Sequence, residues 1–291
     1  MKKERVLLAG GTGYLGGYVL QELLKQGYST RAIVRNLNKI NIQNTILDIV
    51  EKEITEKESL KGICDEIDIV ISTVGITRQK DSLTYMDVDY QANLNLLEEA
   101  QRAGVQRFIY VSAIDGDKYR NLKIFEAKER FVDALKQSGL NYVVLRPNGF
   151  FSDMKDFLAM AKNGRVYLFG DGAYCLNPIH GADLAKFCVD SMKKEAVELT
   201  IGGPEVFTQN ELAELALKAW GNKVKIVHLP DWIRRAIIFI MRIFTSSKTY
   251  GPIEFFLTMM AVDSLAPKYG QKRLDDFFKE VIQDLKNIKK K

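Results

Sequence analysis

The sequence predicts an α/β fold, a doubly wound parallel sheet followed by a smaller, mainly helical C-terminal region. Three observations carry that prediction. Up to about residue 146, short apolar runs alternate with amphipathic helical patterns. Runs such as IDIVIS and RFIYVS are apolar and rich in β-branched residues, which suits strands covered on both faces. Residues Val6 to Gly17, reading VLLAGGTGYLGG, set a strand directly before a glycine cluster and a helix.

The first strand, 4–9, ends at that cluster, and the helix after it, 14–26, is marked by Tyr14, Tyr18, Val19 and Leu23 at helical spacing. Two glycine spacings fit: GxGxxG through Gly11, Gly13 and Gly16, and GxxGxxG through Gly10, Gly13 and Gly16. Either supplies a tight turn, a backbone that approaches a pyrophosphate, and a close helix–strand contact, with the helix N-terminus aimed at the anion. The loop from Gly10 to Gly16, with Thr12, Tyr14 and Leu15, is therefore the expected phosphate cradle of a Rossmann domain. Further strands follow at 30–34, 46–50, 67–73, 107–112 and 141–145, with helical patterns at 57–64, 87–103 and 123–138. This alternation assigns 1–150 to an NAD(P)-binding domain.

Beyond Arg146-Pro147, helical stretches at 151–162 and 181–192 flank the loop GDGAYCLNPIHG, and a short strand near 197–201 returns to the sheet. From Gly202 the pattern is helical, with turns at Gly221, Pro230 and Pro252. Residues 151–291 are expected to form a smaller substrate or lid region covering the carboxyl ends of the strands, where ligands bind in open α/β sheets.

The composition, 46% hydrophobic and 27% charged over 291 residues, is that of a soluble globular chain. The net charge of +5 sits at the ends: Lys2, Lys3 and Arg5 against Glu4, and Lys286, Lys289, Lys290 and Lys291. That distribution speaks for solvated termini and against a nucleic-acid partner, which needs a basic domain face. Cys64, Cys175 and Cys188 are odd in number and widely spaced, which predicts neither a disulfide framework nor a metal site and fits a cytoplasmic setting. No signal-peptide-like stretch opens the chain and no apolar run reaches about 18 residues, so an exported or membrane-spanning chain is not expected.

The segment 231–244, DWIRRAIIFIMRIF, is very apolar, and Arg234, Arg235 and Arg242 recur at a spacing that reads as one helix face. The favoured reading is a core helix with one solvated basic stripe. The alternatives are peripheral contact with a membrane, and an apolar ligand pocket built with the run Ile253 to Val262 from Trp232, Ile237, Phe239, Phe255, Phe256 and Met259.

The end of the second strand, RAIVRN, selects among nucleotides. NAD-selective domains place an Asp or Glu here to accept from the ribose 2′-OH, whereas Arg35 suits a 2′-phosphate. NADP(H) is the expected cofactor, with Lys39 adding a second charge; NAD(H) is the alternative if Arg35 is only a solvated strand-end residue.

GGTGYLG, Arg35, YVSAI (Tyr110 to Ile114), Ala127-Lys128, LRPNGFF (Leu145 to Phe151) and NPIHGADLA (Asn177 to Ala185) together resemble the atypical short-chain dehydrogenase/reductase superfamily over nearly the whole chain. Within it, MAKNGRVYLFGDGAYCLNPI, IGGPEVFTQNEL and APKYGQKRLDDFFKEVI are similar to the 8-vinyl reductases that act on divinyl chlorophyllide. NmrA-like NADP-binding regulators and the nucleotide-carrying accessory subunit of respiratory complex I are similar as well.

In ordinary members of the superfamily a Ser polarises a carbonyl, a Tyr exchanges the proton, and a Lys one helical turn later lowers the Tyr pKa and holds the ribose. The resemblance puts Ser112 at the Ser position and Lys128 at the Lys position, but Ile124 stands where the Tyr belongs. Tyr119 and Lys123 have the right spacing, yet Asp115-Gly116-Asp117 reads as a loop, so the pair is taken as a chance match. The resemblance further implies nucleotide contacts at Ser72, Thr73, Val74, Gly75, Asn93, Pro147 and Asn148, besides Ser112 and Lys128. His180 titrates near neutrality and is a candidate proton donor, although a lone loop His beside Asp183 more often has a hydrogen-bonding role. These residues lead to the expectation of an NADPH-dependent reductase delivering hydride to a large, apolar, conjugated substrate. A non-catalytic NADP(H)-binding regulator or assembly factor is the alternative that Ile124 favours; a nucleotide-sugar epimerase is disfavoured because the Tyr is missing.

Overall fold

In a computed structural model of the protein, residues 4–40, 42–77, 79 and 83–288 are described; Lys2, Lys3 and Lys289 to Lys291, read from the sequence as solvated ends, lie outside them. The elements run β1 (Arg5–Ala9), α1 (Tyr14–Lys25), β2 (Ser29–Val34), β3 (Leu47–Glu51), β4 (Ile69–Ser72), α2 (Asn93–Arg102), β5 (Arg107–Val111), α3 (Lys123–Gln137) and β6 (Asn141–Pro147). They continue with α4 (Lys155–Lys162), β7 (Val166–Phe169), β8 (Cys175–Leu176), α5 (Gly181–Asp190), β9 (Val197–Ile201), β10 (Phe207–Thr208), α6 (Gln209–Ala219), β11 (Ile226–Leu229), α7 (Asp231–Phe244), α8 (Ser247–Met259) and α9 (Leu274–Ile288).

Seven strands form the main sheet in the order β3-β2-β1-β4-β5-β6-β9, and β1 to β6 pair in parallel. The winding reverses between β1 and β4, so their carboxyl ends flank the crevice that this topology offers to a ligand. The strands are there because they are apolar on both sides: Val6, Leu7, Leu8 and Ala9 of β1 and Ile69, Val70 and Ile71 of β4 are all buried. Helix α3 covers one face through Phe131, Val132 and Leu135, with the Phe131 ring 4.6 Å from that of Tyr110.

The chain divides into two compact units: residues up to Arg146 with Leu184–Leu199, and Pro147–Asp183 with Thr200–Lys291. The first holds the six parallel strands and a core around Leu7, Val70, Phe108 and Phe131. The second has its own core, in which Phe157 and Leu158 of α4, Leu212 and Leu217 of α6 and Phe278 of α9 come together. A capping box starts α6, Thr208 and Glu211 each satisfying the other's backbone N–H.

Several expectations need correction. The pattern at 57–64 yields only a short 3₁₀ turn, Lys57–Leu60, because the chain turns through positive φ at Gly62 and Glu66. The stretch 87–103 opens as a π-helical segment, Met86–Ala92, before α2 begins. The second unit is less helical than predicted: β7 and β11 pair in parallel and β8 and β10 pair antiparallel, strands of two to four residues that show no usable period. Helix α7 is not a core helix, for none of its residues is buried. Its arginines differ in burial: Arg234 is half-buried and donates to the Leu257 carbonyl, while Arg235 and Arg242 stay exposed, Arg242 paired with Glu254. The six residues expected to line an apolar pocket are all exposed or half-buried.

Candidate functional site

The carboxyl edge of the sheet in the first unit gathers most of the predicted nucleotide contacts. Register places Ala9 beside Ile33 and Ser72, and Ser72 beside Tyr110, so the loops after β1, β2, β4 and β5 emerge together. Gly10 has φ +87°, a conformation that glycine adopts without strain, and a Cβ there would lie 2.5 Å from Thr73 Oγ1. A Cβ on Gly16 would run into the Gly10 carbonyl, 2.6 Å from its carbon and 2.9 Å from Thr73 Oγ1. Gly11 has no contact tighter than 3.5 Å, so the structure selects the Gly10, Gly13, Gly16 frame of the two the sequence allowed. Gly13 is exposed, donates to the Gly10 carbonyl at 2.9 Å, and precedes α1, which has neither a side-chain cap nor an acidic residue in its first turn. An uncapped N-terminus behind an exposed glycine fits a pyrophosphate. Thr12 is exposed at the mouth of this loop, Tyr14 half-buried, and Leu15 buried beneath it.

Arg35 follows directly on β2, is exposed, and forms no ion pair among the described residues. Its guanidinium is thus free for a phosphate at the edge where a ribose 2′-substituent belongs.

The loop after β4 is held from below. Thr73 donates through N–H and Oγ1 to the Ala9 carbonyl, at 3.0 and 3.1 Å. Ser72 Oγ donates to Asn93 Oδ1 at 2.5 Å and accepts from Val74 N–H, while the Asn93 amide donates to the carbonyls of Val74, Val88 and Asp89. Both side chains are buried and shape the loop. Gly75 lies close to a charged pair: a Cβ there would lie 2.6 Å from Asp89 Oδ1 and 2.8 Å from Lys128 Nζ.

Lys128 is therefore packed against the turn at Gly75. Its Nζ lies 2.8 Å from Asp89 Oδ1 and 5.7 Å from the centre of the Tyr110 ring. Burial pulls the ammonium pKa down, but Asp89 and Tyr110 outweigh it and hold the pKa above the usual lysine value, so the group stays charged. Asp89 comes from the π-helical segment and also accepts from Ile76 N–H at 3.2 Å. The Tyr110 hydroxyl is buried without a hydrogen-bond partner among the described residues.

Ser112 directly follows β5, and its hydroxyl is engaged within the protein. Its Oγ donates to Glu129 Oε1 at 3.0 Å, and Glu129, fully buried, is clasped by both terminal nitrogens of Arg146 at 2.6 and 2.8 Å. Arg146 continues to Glu198 through Nε at 2.8 Å. Ile124 is buried in the first turn of α3, one turn before Lys128, and Tyr119 lies in the preceding turn rather than on the helix. The position of the missing Tyr is thus an apolar one.

Pro147, Asn148 and His180 fall in the second unit. Pro147 closes β6; the Asn148 amide donates to Asn177 Oδ1 at 2.8 Å and to the Ser264 carbonyl at 2.6 Å, and its Oδ1 accepts from Gly149 N–H. Asn148 is buried and works as a strut of that unit. His180 Nδ1 accepts from Ala182 N–H at 3.1 Å in the first turn of α5, and its ring stands edge-on to Phe151 and Phe277. Burial lowers its pKa below the ordinary 6.5, aided by Lys272 and opposed by Asp183 and Glu280. The unfolded chain therefore takes up this proton first, and stability falls as pH drops from about 6.5 through the lower folded value. Thermal unfolding at about pH 7 and pH 5.5 is expected to show that slope, and His180→Asn, which keeps a capping acceptor, to flatten it.

Asp89, Glu129 and Arg146 are the residues that sequence reasoning missed. The signal was present: Lys128 and Glu129 sit side by side in a helix flanked by Phe125, Phe131 and Val132, where buried charges demand partners.

A sequence model of the NAD(P)H-binding family matches residues 10–195. The divinyl chlorophyllide a 8-vinyl-reductase of Arabidopsis thaliana is 28% identical, over 97% of this chain and 78% of that protein. Photosystem II assembly factor Ycf39 of Synechocystis is 27% identical, over 98% of this chain and 94% of that protein. Among solved structures, AtPrR2 with NADP+ and (+)pinoresinol has a TM-score of 0.74 at 18% identity, covering 96% of this chain and 99% of that one. The NADPH-dependent quinone oxidoreductase QOR2 of Escherichia coli, complexed with NADPH, has a TM-score of 0.70 at 16% identity, covering 95% and 99%. The structural likenesses agree with the fold, and the family match spans the cradle, Arg35, Asp89 and Lys128. With the motifs of the atypical short-chain dehydrogenase/reductases in place around that cradle, the chain belongs to the NAD(P)H-binding family.

Proposed function

We propose that the chain is an NADPH-dependent reductase that delivers hydride to one carbon of a conjugated C=C bond of a large apolar acceptor, the other carbon taking its proton from water. The observation that carries this reading is the combination at one sheet edge of an uncapped glycine cradle, an unpaired Arg35 and a charged Lys128, with apolar Ile124 in place of a proton-exchanging Tyr. Bound NADPH would supply the hydride. The cradle would hold its pyrophosphate, Arg35 its 2′-phosphate, and Lys128 Nζ would keep a proton beside Gly75 and orient the ribose. Ile124 leaves no Tyr hydroxyl to protonate a carbonyl oxygen, which argues for a C=C acceptor over a ketone or a sugar. The similarity to the 8-vinyl-reductase supports the same direction.

NADPH and NADH titrated separately test the cofactor. NADPH is expected to bind more tightly, and Arg35→Ala to weaken NADPH about 10- to 100-fold, the worth of a charge-assisted bond, while leaving NADH unchanged. Tighter binding of NADH would refute the role of Arg35. NADPH oxidation with enones, quinones and divinyl tetrapyrroles then tests the reaction.

A second reading, a nucleotide-binding assembly factor without turnover, is favoured by the Ser112–Glu129 bond and buried Ile124, which remove both the Ser and the Tyr of the usual chemistry. Its similarity partner is Ycf39. It predicts the same NADPH binding and no oxidation with any acceptor.

A further inference from the structure

We propose that α7 docks the protein on an anionic lipid surface, lying flat among the headgroups with its apolar face inward. An ordinary surface helix turns one apolar stripe to the core, whereas α7 has half-buried apolar residues on the protein side and a second apolar stripe facing out. Trp232, Phe239 and Phe244 are 67%, 66% and 77% exposed, and Ile240 and Ile243 are exposed beside them. Trp232, Phe239 and Ile243, at i, i+7 and i+11, make one stripe along a helix about 20 Å long, with Ala236 and Ile240 adjoining it. No charged residue interrupts it.

The side of α7 toward the protein carries half-buried Ile233, Ile237, Ile238 and Met241, with Arg234 among them, while Arg235 and Arg242 stay exposed. Arg234 bonds Asp231 at 2.6 Å and the Leu257 carbonyl of α8 at 3.3 Å, and Arg242 pairs with buried Glu254 of α8. These contacts fix the helix so that the apolar stripe faces outward.

Charge identifies the occupant. Residues 222–254 contain six basic residues, Lys223, Lys225, Arg234, Arg235, Arg242 and Lys248, against Asp231 and Glu254, a surplus of +4. A second copy would bring the same positive segment to the contact, whereas an anionic bilayer offers both an apolar interior and negative headgroups. Arg235, on the rim of the stripe and exposed, has a stem long enough to reach phosphates while the aromatics enter the interface, and Trp232 is suited to the headgroup level. No helix among the described residues is long and apolar enough to cross a membrane, and 14 residues fall short of the roughly 20 a span needs, so α7 lies on the surface.

The test is vesicle flotation of the full chain with phosphatidylcholine alone and with phosphatidylcholine containing phosphatidylglycerol. Binding is expected about tenfold or more stronger to the anionic vesicles and to weaken with salt. It should come with a blue shift in tryptophan emission that Trp232→Phe removes. The double variant Phe239→Glu/Ile243→Glu, altered only at exposed positions, is expected to lose about tenfold or more of this binding while its thermal unfolding is unchanged. Wild-type protein that stays in solution with anionic vesicles at low salt would overturn the proposal, as would a double variant that floats like wild type. A wild-type dimer that the double variant converts to monomer, without vesicle binding, would assign the face to a second copy and overturn it too. NADPH titration of the same variants reads the nucleotide site separately, so the docking result stands or falls apart from the reductase reading.

Discussion

Gly16→Ala is expected to lower NADPH affinity by about two orders of magnitude and stability by about 1–3 kcal/mol, the range for forcing a methyl into a filled space. The added Cβ would overlap the Gly10 carbonyl and press on Thr73 Oγ1, and neither can yield cheaply. The Gly10 carbonyl is fixed by the hydrogen bond from Gly13 N–H, and Thr73 by two bonds to the Ala9 carbonyl. Relief would require α1 to move off β1, and its N-terminus would then no longer point at the pyrophosphate. Gly11→Ala is the matched control, because its Cβ would find only ordinary contacts at 3.5 Å and beyond. Isothermal titration with NADPH and thermal unfolding of both variants decide the matter. Equal losses at the two positions would show that the GxxGxxG frame is not the one that matters.

Glu129→Ala is expected to cost about 3–5 kcal/mol, because it leaves the Arg146 guanidinium buried with its main partner gone. The Ser112 hydroxyl loses its acceptor at the same time. For a chain of this size that loss corresponds to a fall in melting temperature of roughly 10 °C. The double replacement Glu129→Leu/Arg146→Met removes both charges together and should recover most of the stability, since a buried ion pair contributes little over a well-packed apolar pair. Half-exposed Glu198 can turn to water when Arg146 is gone, and it keeps Lys136 as a partner. Urea unfolding of the single and double variants measures the difference. Ser112→Ala should cost only about 1 kcal/mol, the worth of one hydrogen bond. A double variant no more stable than Glu129→Ala would mean that the pair holds the β5–α3–β6 packing in a way an apolar core cannot replace.

The parallel sheet and the cradle were legible because their signals are local. A strand buried on both faces must be apolar along its length, as β1 and β4 are, and the glycines must stand where a turn, an anion and a helix meet. The returning strand 197–201 forms the sheet edge as β9, with Glu198 and Thr200 exposed between Val197, Leu199 and Ile201. The 3₁₀ turn at Lys57–Leu60 and the π-helical start at Met86–Ala92 were not legible, since both have apolar residues at helix-like spacing. The small sheets of the second unit consist of strands too short to show a period.

The sequence by itself determined the nucleotide cradle, the cation at the end of the second strand, and the apolar residue where a Tyr would work. These follow from residue identity at fixed short spacings. The tertiary structure decided which of two glycine frames is constrained, and it decided what the polar side chains near the site do. Ser112 is bound to Glu129, Asn93 to the loop after β4, and Lys128 to Asp89, contacts across 17 to 39 residues of chain that no local pattern contains. It also decided which way α7 faces. Periodicity shows that the segment is apolar, but only the packing, with Ile233, Ile237 and Met241 half-buried and Arg234 bonded to α8, shows that Trp232, Phe239 and Ile243 face outward.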